Sequence, residues 1–114
     1  MKNIIEFNHF LNESALFKNK KSKISGTGNF STQNIKKDTD LGVGLTKIKN
    51  TGEPDKDYKR YDICTYTNHS NKPNLYYKKN GKDYHFYTLH DIKKGEELTI
   101  DYKKFDFDGI RDFD

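Results

Sequence analysis

Apolar positions come in three patterns along the chain. Between residues 3 and 16, Ile4, Phe7, Leu11 and Ala15 recur near helical spacing, which predicts a short amphipathic helix in an N-terminal extension over residues 1–15. From Leu16 to Gly44, short apolar pairs are separated by Gly, Asp and Asn, as in a series of short strands and turns. Residues 50–60, with Thr51, Gly52, Glu53 and Pro54, carry the turn chemistry of a loop.

The clearest element is Leu75–Tyr87. Aromatic, strand-forming residues flank Asn80-Gly81, a pair suited to the positive φ angles of a type I′ turn, so a β-hairpin is expected. Beyond it, Lys94-Gly95 predicts a turn and Glu97–Tyr102 a strand. The fold class expected is mainly β, with few helices.

Composition shows how so polar a chain can fold. Only 32% of its 114 residues are hydrophobic, but 8 Phe and 8 Tyr can bury large areas each. A disordered chain would be poor in such residues. The length suits one domain, taken as residues 16–114. One cysteine, Cys64, excludes an internal disulfide and a cysteine-rich zinc cluster. No apolar leader or membrane-length stretch is present, so an intracellular, cytoplasmic protein is expected.

The net charge is +4, and Lys18, Lys20, Lys21 and Lys23 form a basic run, read here as a solvated loop. Asp106, Asp108, Asp112 and Asp114 reverse the sign at the other end, where they could help recruit a basic segment.

Several motifs fail on inspection. Ser25-Gly26-Thr27-Gly28-Asn29-Phe30 lacks the third glycine of a dinucleotide fingerprint, since Ser31 stands there. Asp106-Phe107-Asp108-Gly109 resembles a calcium loop, but Lys104 occupies the first ligand position. His85 and His90, five apart on an expected strand, would face opposite sides, and His9 stands alone, so no metal site is expected.

Three segments taken together carry more. Gly26-Thr27-Gly28-Asn29-Phe30, Asn68-His69-Ser70-Asn71-Lys72-Pro73-Asn74 and Gly95-Glu96-Glu97-Leu98-Thr99-Ile100-Asp101-Tyr102 resemble, in this order, the motifs of the SET-domain lysine methyltransferases. Asn34-Ile35-Lys36-Lys37-Asp38 resembles the family's second-strand turn, with Asp38 where glycine is usual. The compact size is most similar to the small viral and phage members.

The resemblance implies a SET-type fold of short curved β-sheets, with a C-terminal segment threaded, pseudoknot-like, beside the Asn-His motif. It implies S-adenosylmethionine as cofactor. Gly26, Thr27 and Gly28 would hold its methionine end, Asn68 and His69 its amino and adenine groups, and Phe105 or Phe107 would cover the adenine. Tyr102 would be the catalytic residue in the methyl-transfer channel. Tyr66, Tyr76, Tyr77 and Ile100 would line the substrate-lysine channel. The implied partner is a protein with a basic, lysine-containing segment, histone-like or ribosomal.

The chain departs from the pattern at Asn71, where cysteine is usual, and at Ile100, where several relatives carry Phe or Tyr. The stretch 45–60 is short for the insert that shapes the substrate groove, so a second copy, as a homodimer, is expected to complete it. Two other readings remain open at this stage. One is a SET-like module that binds without catalysis. The other is a small basic nucleic-acid-binding β protein using Lys18–Lys23.

Overall fold

The computed structural model describes residues 16–104. The helix expected around Ile4–Ala15, the adenine-covering Phe105 and Phe107, and the acidic tail lie outside the described residues.

Three small sheets make up the fold. Strands β1 (Phe17–Lys21) and β2 (Thr27–Ser31) form an antiparallel pair. Strands β3 (Asp40–Lys47), β4 (Tyr58–Arg60), β6 (Leu75–Asn80) and β7 (Asp83–Thr88) form an antiparallel sheet in the order β4-β3-β7-β6. The third sheet is two residues deep, β5 (Asn68–His69) parallel to β8 (Thr99–Ile100). The architecture is mainly β with few helices, as the sequence implies.

Alternation builds the central sheet. Along β7, Tyr84, Phe86 and Thr88 are buried while Asp83, His85 and Tyr87 are half-buried on the other face. Period-two patterning therefore sets which face meets the core. Tyr84 and Phe86 join Leu41, Leu45, Leu75, Ile92 and Leu98 inside. Phe86 lies so close to β3 that a Cβ at Gly44 would stand 2.7 Å from its ring, which leaves room only for glycine.

The hairpin forms as expected, with its turn shifted by one residue. Asn80 pairs with Asp83, so Gly81 and Lys82 are the central residues. Of these two residues only Gly81 has a positive φ, +66°, the type II′ pattern with glycine first. Pairing six residues per strand outweighs the preference of Asn80-Gly81 for the two central places.

Three further expectations are corrected. The loop over 50–60 contains a short helix, α1 (Pro54–Asp57), followed directly by β4. Proline suits the first turn of a helix, where its missing N–H is not needed. The run Lys18–Lys21 is strand and not loop. The strand expected over Glu97–Tyr102 shrinks to Thr99–Ile100, because Asp101 starts a 3-10 turn over Tyr102–Lys104. There the Asp101 carboxylate accepts from Lys103 N–H at 2.9 Å and its carbonyl from Lys104 N–H at 3.1 Å.

A second short helix, α2 (Asp62–Thr65), leads into β5. Asp38, in the turn where the resemblance implies glycine, has φ +63°, a left-handed conformation that Asp tolerates better than most residues.

Asp57 closes the segment 51–57. It is buried and accepts from Thr51 N–H (2.8 Å), Thr51 Oγ1 (2.6 Å) and Gly52 N–H (2.8 Å). Burial pushes its pKa up, but the hydrogen bonds from Thr51 and Gly52, with the charge of Lys47, outweigh it and hold the carboxyl below its ordinary value. A depressed pKa contributes stability that is present above the unfolded value and lost as pH falls through the folded one. Acidification below about pH 4 is therefore expected to loosen this segment in the wild type. Hydrogen exchange at Thr51 and Gly52 against pH, compared with Asp57→Asn, checks this. The variant is expected to exchange fast at neutral pH already and to show no further acid step.

Candidate functional site

The turn between β1 and β2 is built on Ser22. Its N–H donates to the Gly26 carbonyl at 2.8 Å, and its Oγ accepts from Ile24 N–H (2.8 Å) and Ser25 N–H (3.3 Å). Gly26 closes the turn at φ +43°, in left-handed space. Asn68 reaches this turn from β5. Its Nδ2 lies 3.0 Å from Ser22 Oγ, 3.0 Å from Ser25 O and 2.9 Å from Glu97 Oε2. The Ser22 hydroxyl in turn donates to both Glu97 carboxylate oxygens, at 2.9 and 2.8 Å.

The three motifs, far apart in sequence, thus meet in one hydrogen-bonded cluster. Three acceptors around Nδ2 fix the Asn68 amide orientation and turn Oδ1 away from the cluster. Glu97 meets only neutral donors there, a hydroxyl and an amide. The cluster is therefore a partly buried negative centre.

Beside it, Asn29 is fully buried and ties β2 inward. Its Nδ2 donates to Asp62 O and Thr67 Oγ1, both at 3.1 Å, and its Oδ1 accepts from Asn19 at 3.3 Å. Thr67, also fully buried, donates its hydroxyl to Ile63 O. Its carbonyl accepts from the Tyr102 hydroxyl at 2.7 Å.

Tyr102 N–H donates to His69 Nδ1 at 3.0 Å, and the two rings lie 5.2 Å apart. Because Nδ1 accepts, the ring proton of neutral His69 sits on Nε2, which donates to Asn71 Oδ1 at 3.2 Å. Asp101 Oδ1 stands 3.7 Å from Nδ1, too long for a hydrogen bond, and forms an ion pair only with a protonated ring. Asn68, His69 and Tyr102 are thus held by one another's neighbours.

The other site residues divide. Tyr76, Tyr77 and Ile100 line one cavity of about 260 Å³ with Pro73, Leu75 and Leu89. Tyr66 is not among its lining residues and is exposed after α2. The Tyr77 hydroxyl donates to Lys104 O at 2.8 Å. Tyr76 stacks on Tyr87 at 5.4 Å and donates to Asp38 Oδ1 at 2.8 Å, a bond that holds its phenol pKa above the ordinary value. Thr27 stands exposed on β2.

Burial pushes the Cys64 thiol up to about 12, so it stays protonated and cannot serve as a nucleophile. β7 ends at Thr88, so His90 lies past the strand that was expected to carry it. Among the described residues no group of three or more His, Cys, Asp or Glu is placed to hold a metal. None of the described helices is long and apolar enough to cross a membrane.

The family model of the SET domain matches residues 44–103, just over half of the chain. This chain belongs to the SET domain family. The match covers the Asn68 and Glu97 motifs, and the hydrogen bonds of Ser22 and Ser25 join the earlier glycine loop to them. A solved Plasmodium falciparum chain, described as a candidate histone methyltransferase, aligns at TM-score 0.61 and 24% identity. The alignment covers 75% of this chain and 96% of that one, and it supports the fold. A search of curated proteins returned no match.

Sequence reasoning missed Ser22, Asn29 and Glu97 as parts of this site. Gly28 shows what they enforce. A Cβ there would collide with Glu97 Oε2 and come within 3.1 Å of Ser22 Cβ. The carboxylate could swing aside only by breaking its bonds to Ser22 and Asn68. Gly28→Ala is therefore expected to keep the fold and to lower its stability by roughly 1.5–3 kcal/mol, the cost of releasing the Glu97 carboxylate from its charge-assisted hydrogen bonds. A thermal melt beside the wild type checks this.

Proposed function

We propose that this SET domain is a protein-lysine N-methyltransferase that draws on S-adenosylmethionine and acts on a lysine in an exposed basic segment of another protein. The observation that carries the reading is the meeting of Gly26–Gly28, Asn68 and Glu97 in one cluster, with the Tyr102 hydroxyl anchored one residue before Asn68.

The donor set suits the cofactor. Its amino-acid end is a cation beside a carboxylate, and the cluster offers the Glu97 carboxylate, the outward Asn68 Oδ1 and main-chain groups near Gly26. His69 stands next in line, with Phe105 and Phe107 assigned by family resemblance to the adenine. When bound, S-adenosylmethionine supplies a methyl already activated on a positive sulfonium.

The chain must then present an uncharged lysine amine. Desolvation in a partly aromatic passage lowers a lysine pKa, and a neighbouring positive charge lowers it further. Tyr76, Tyr77 and Ile100 would supply the aromatic part of such a passage, in a cavity that Asp101 and Lys104 also line. Holding the reactants in attack geometry contributes about 7–11 kcal/mol.

The test is incubation with methyl-labelled S-adenosylmethionine and a panel of histones, ribosomal proteins and cell lysate, with Asn68→Ala alongside. Label on a protein lysine, lost in the variant together with cofactor binding, is the expected result. Cofactor binding without transfer to any member of the panel would instead indicate a binding module. Absence of both would leave the motifs as marks of fold alone.

A further inference from the structure

We propose that the β1–β2 hairpin is a docking surface for the phosphodiester backbone of a nucleic acid. The proposal does not rest on methyl transfer. It starts from the distribution of charge. The chain has 21 Lys and Arg against 17 Asp and Glu. Between Leu16 and Ser31 stand Lys18, Lys20, Lys21 and Lys23 with no carboxylate, so the rest of the chain balances at 17 of each sign. Within residues 16–104, 19 Lys and Arg stand against 11 Asp and Glu, and this one hairpin supplies four of the eight excess positive charges.

The fold presents that charge openly. Of β1 only Phe17 is buried, and Lys18 to Lys21 are all exposed. Among the described residues β1 pairs with β2 alone, so its outer edge faces away from the sheet. None of the four lysines forms an ion pair within the described residues. Glu97, the nearby acid, is engaged by Ser22 and Asn68. Lys20 is held with its ammonium 5.2 Å over the Phe30 ring, which orders one cation. Ile24, 52% exposed, marks the turn.

Other lysines differ. Lys36, Lys37, Lys93 and Lys94 are gathered by the Ile35–Ile92 bridge but share their turns with Asp38, Asp91 and Glu96. Along a strand, alternate residues stand about 6.8 Å apart, so Lys18 and Lys20 place two charges in line on one face, with Lys21 on the other. A regularly charged polyanion complements such a pair, whereas a basic protein segment is repelled by it. The hairpin turn also holds Asn68, so nucleic acid bound there lies beside the proposed cofactor cluster.

The experiment is fluorescence anisotropy of the full chain with a labelled DNA duplex and a matching RNA duplex, between about 50 and 200 mM salt. If Lys18, Lys20 and Lys23 meet phosphates, the slope of log affinity against log salt is about −2.7, a loss of roughly 40-fold over that range. Replacing Lys18, Lys20, Lys21 and Lys23 together by Gln is expected to bring the slope near zero. The same replacement at Lys36, Lys37, Lys93 and Lys94 is expected to leave most of it. Lys20→Gln alone, an exposed single change, is expected to lower the slope by about one. Equal losses in the two fourfold variants would overturn the proposal in favour of bulk charge. Absence of duplex binding would overturn it too, whether or not the chain binds phosphatidylserine vesicles or polyglutamate.

Discussion

Tyr102→Phe is expected to lower kcat for the proposed methyl transfer by roughly 100- to 1,000-fold, the range seen when one preorganised polar group is removed from a reaction centre. Its phenol proton is committed to Thr67 O at 2.7 Å, so toward any further partner the oxygen can only accept. That polarity suits the N–H of an incoming amine or the positive charge around a transferring methyl. Main-chain contacts hold the residue at both ends, through Thr67 O and through its own N–H on His69. Phe keeps the ring, the ring contact with His69 and the 3-10 turn. Losing this donor to the carbonyl of buried Thr67 costs about 1–3 kcal/mol of stability. The thermal midpoint should therefore fall by several degrees and cofactor affinity by calorimetry should move little, while kcat collapses. A variant that keeps most of its kcat would reduce Tyr102 to a packing residue whose hydroxyl serves Thr67.

The motifs were legible because residue type and order carried them, whereas their meeting place was not. Asn68 and His69 could be assigned by resemblance. That Asn68 bonds Ser22 and Ser25 across more than 40 positions could not, since no local pattern encodes a long-range hydrogen bond. The Leu75–Thr88 hairpin was visible from period-two aromatics around Asn80-Gly81, but register was settled by the whole ladder and moved the turn to Gly81-Lys82. Strands β5 and β8, two residues each, are too short to leave a periodicity. Pro54 could have flagged α1, because proline in a turn-rich stretch also suits the first helical position. Lys18–Lys21 looked like a loop because its side chains are polar, yet one apolar residue, Phe17, suffices to seat the strand. Tyr66 shows the limit of reading roles by neighbourhood: two positions before Asn68, it is exposed and outside the cavity that Tyr76, Tyr77 and Ile100 line.

Asn74→Ala is expected to destabilise the domain by about 3 kcal/mol, because it removes the clasp on the segment from Glu96 to Thr99. The Asn74 side chain is buried between two pieces of main chain. Its Nδ2 donates to Glu97 O at 2.8 Å and to Glu96 Oε2 at 3.1 Å, and its Oδ1 accepts from Thr99 N–H at 2.7 Å. Alanine would strand a carbonyl and an N–H on either side of Leu98, which is fully buried, and each unsatisfied group costs about 1–3 kcal/mol. For a chain of this size the thermal midpoint should fall by roughly 12–20 °C. Asn71→Ala, in the same motif but exposed and, among the described residues, bonded only to His69 Nε2, should stay within about 0.5 kcal/mol of wild type. Asn74→Asp separates the two roles of the amide. It keeps an acceptor for Thr99 N–H but sets a second carboxylate against Glu96, so it should be destabilised at neutral pH and recover partly on mild acidification, when one of the pair takes up a proton. Urea melts of the three variants at two pH values read this out, and equal stability of the Asn74→Ala and Asn71→Ala proteins would sink the clasp. The consequence reaches the site because β8 runs directly into Asp101 and Tyr102. With Thr99 released, the parallel pairing of Asn68 with Thr99 and of His69 with Ile100 loses its anchor, and the three residues assigned to cofactor and methyl lose their common frame.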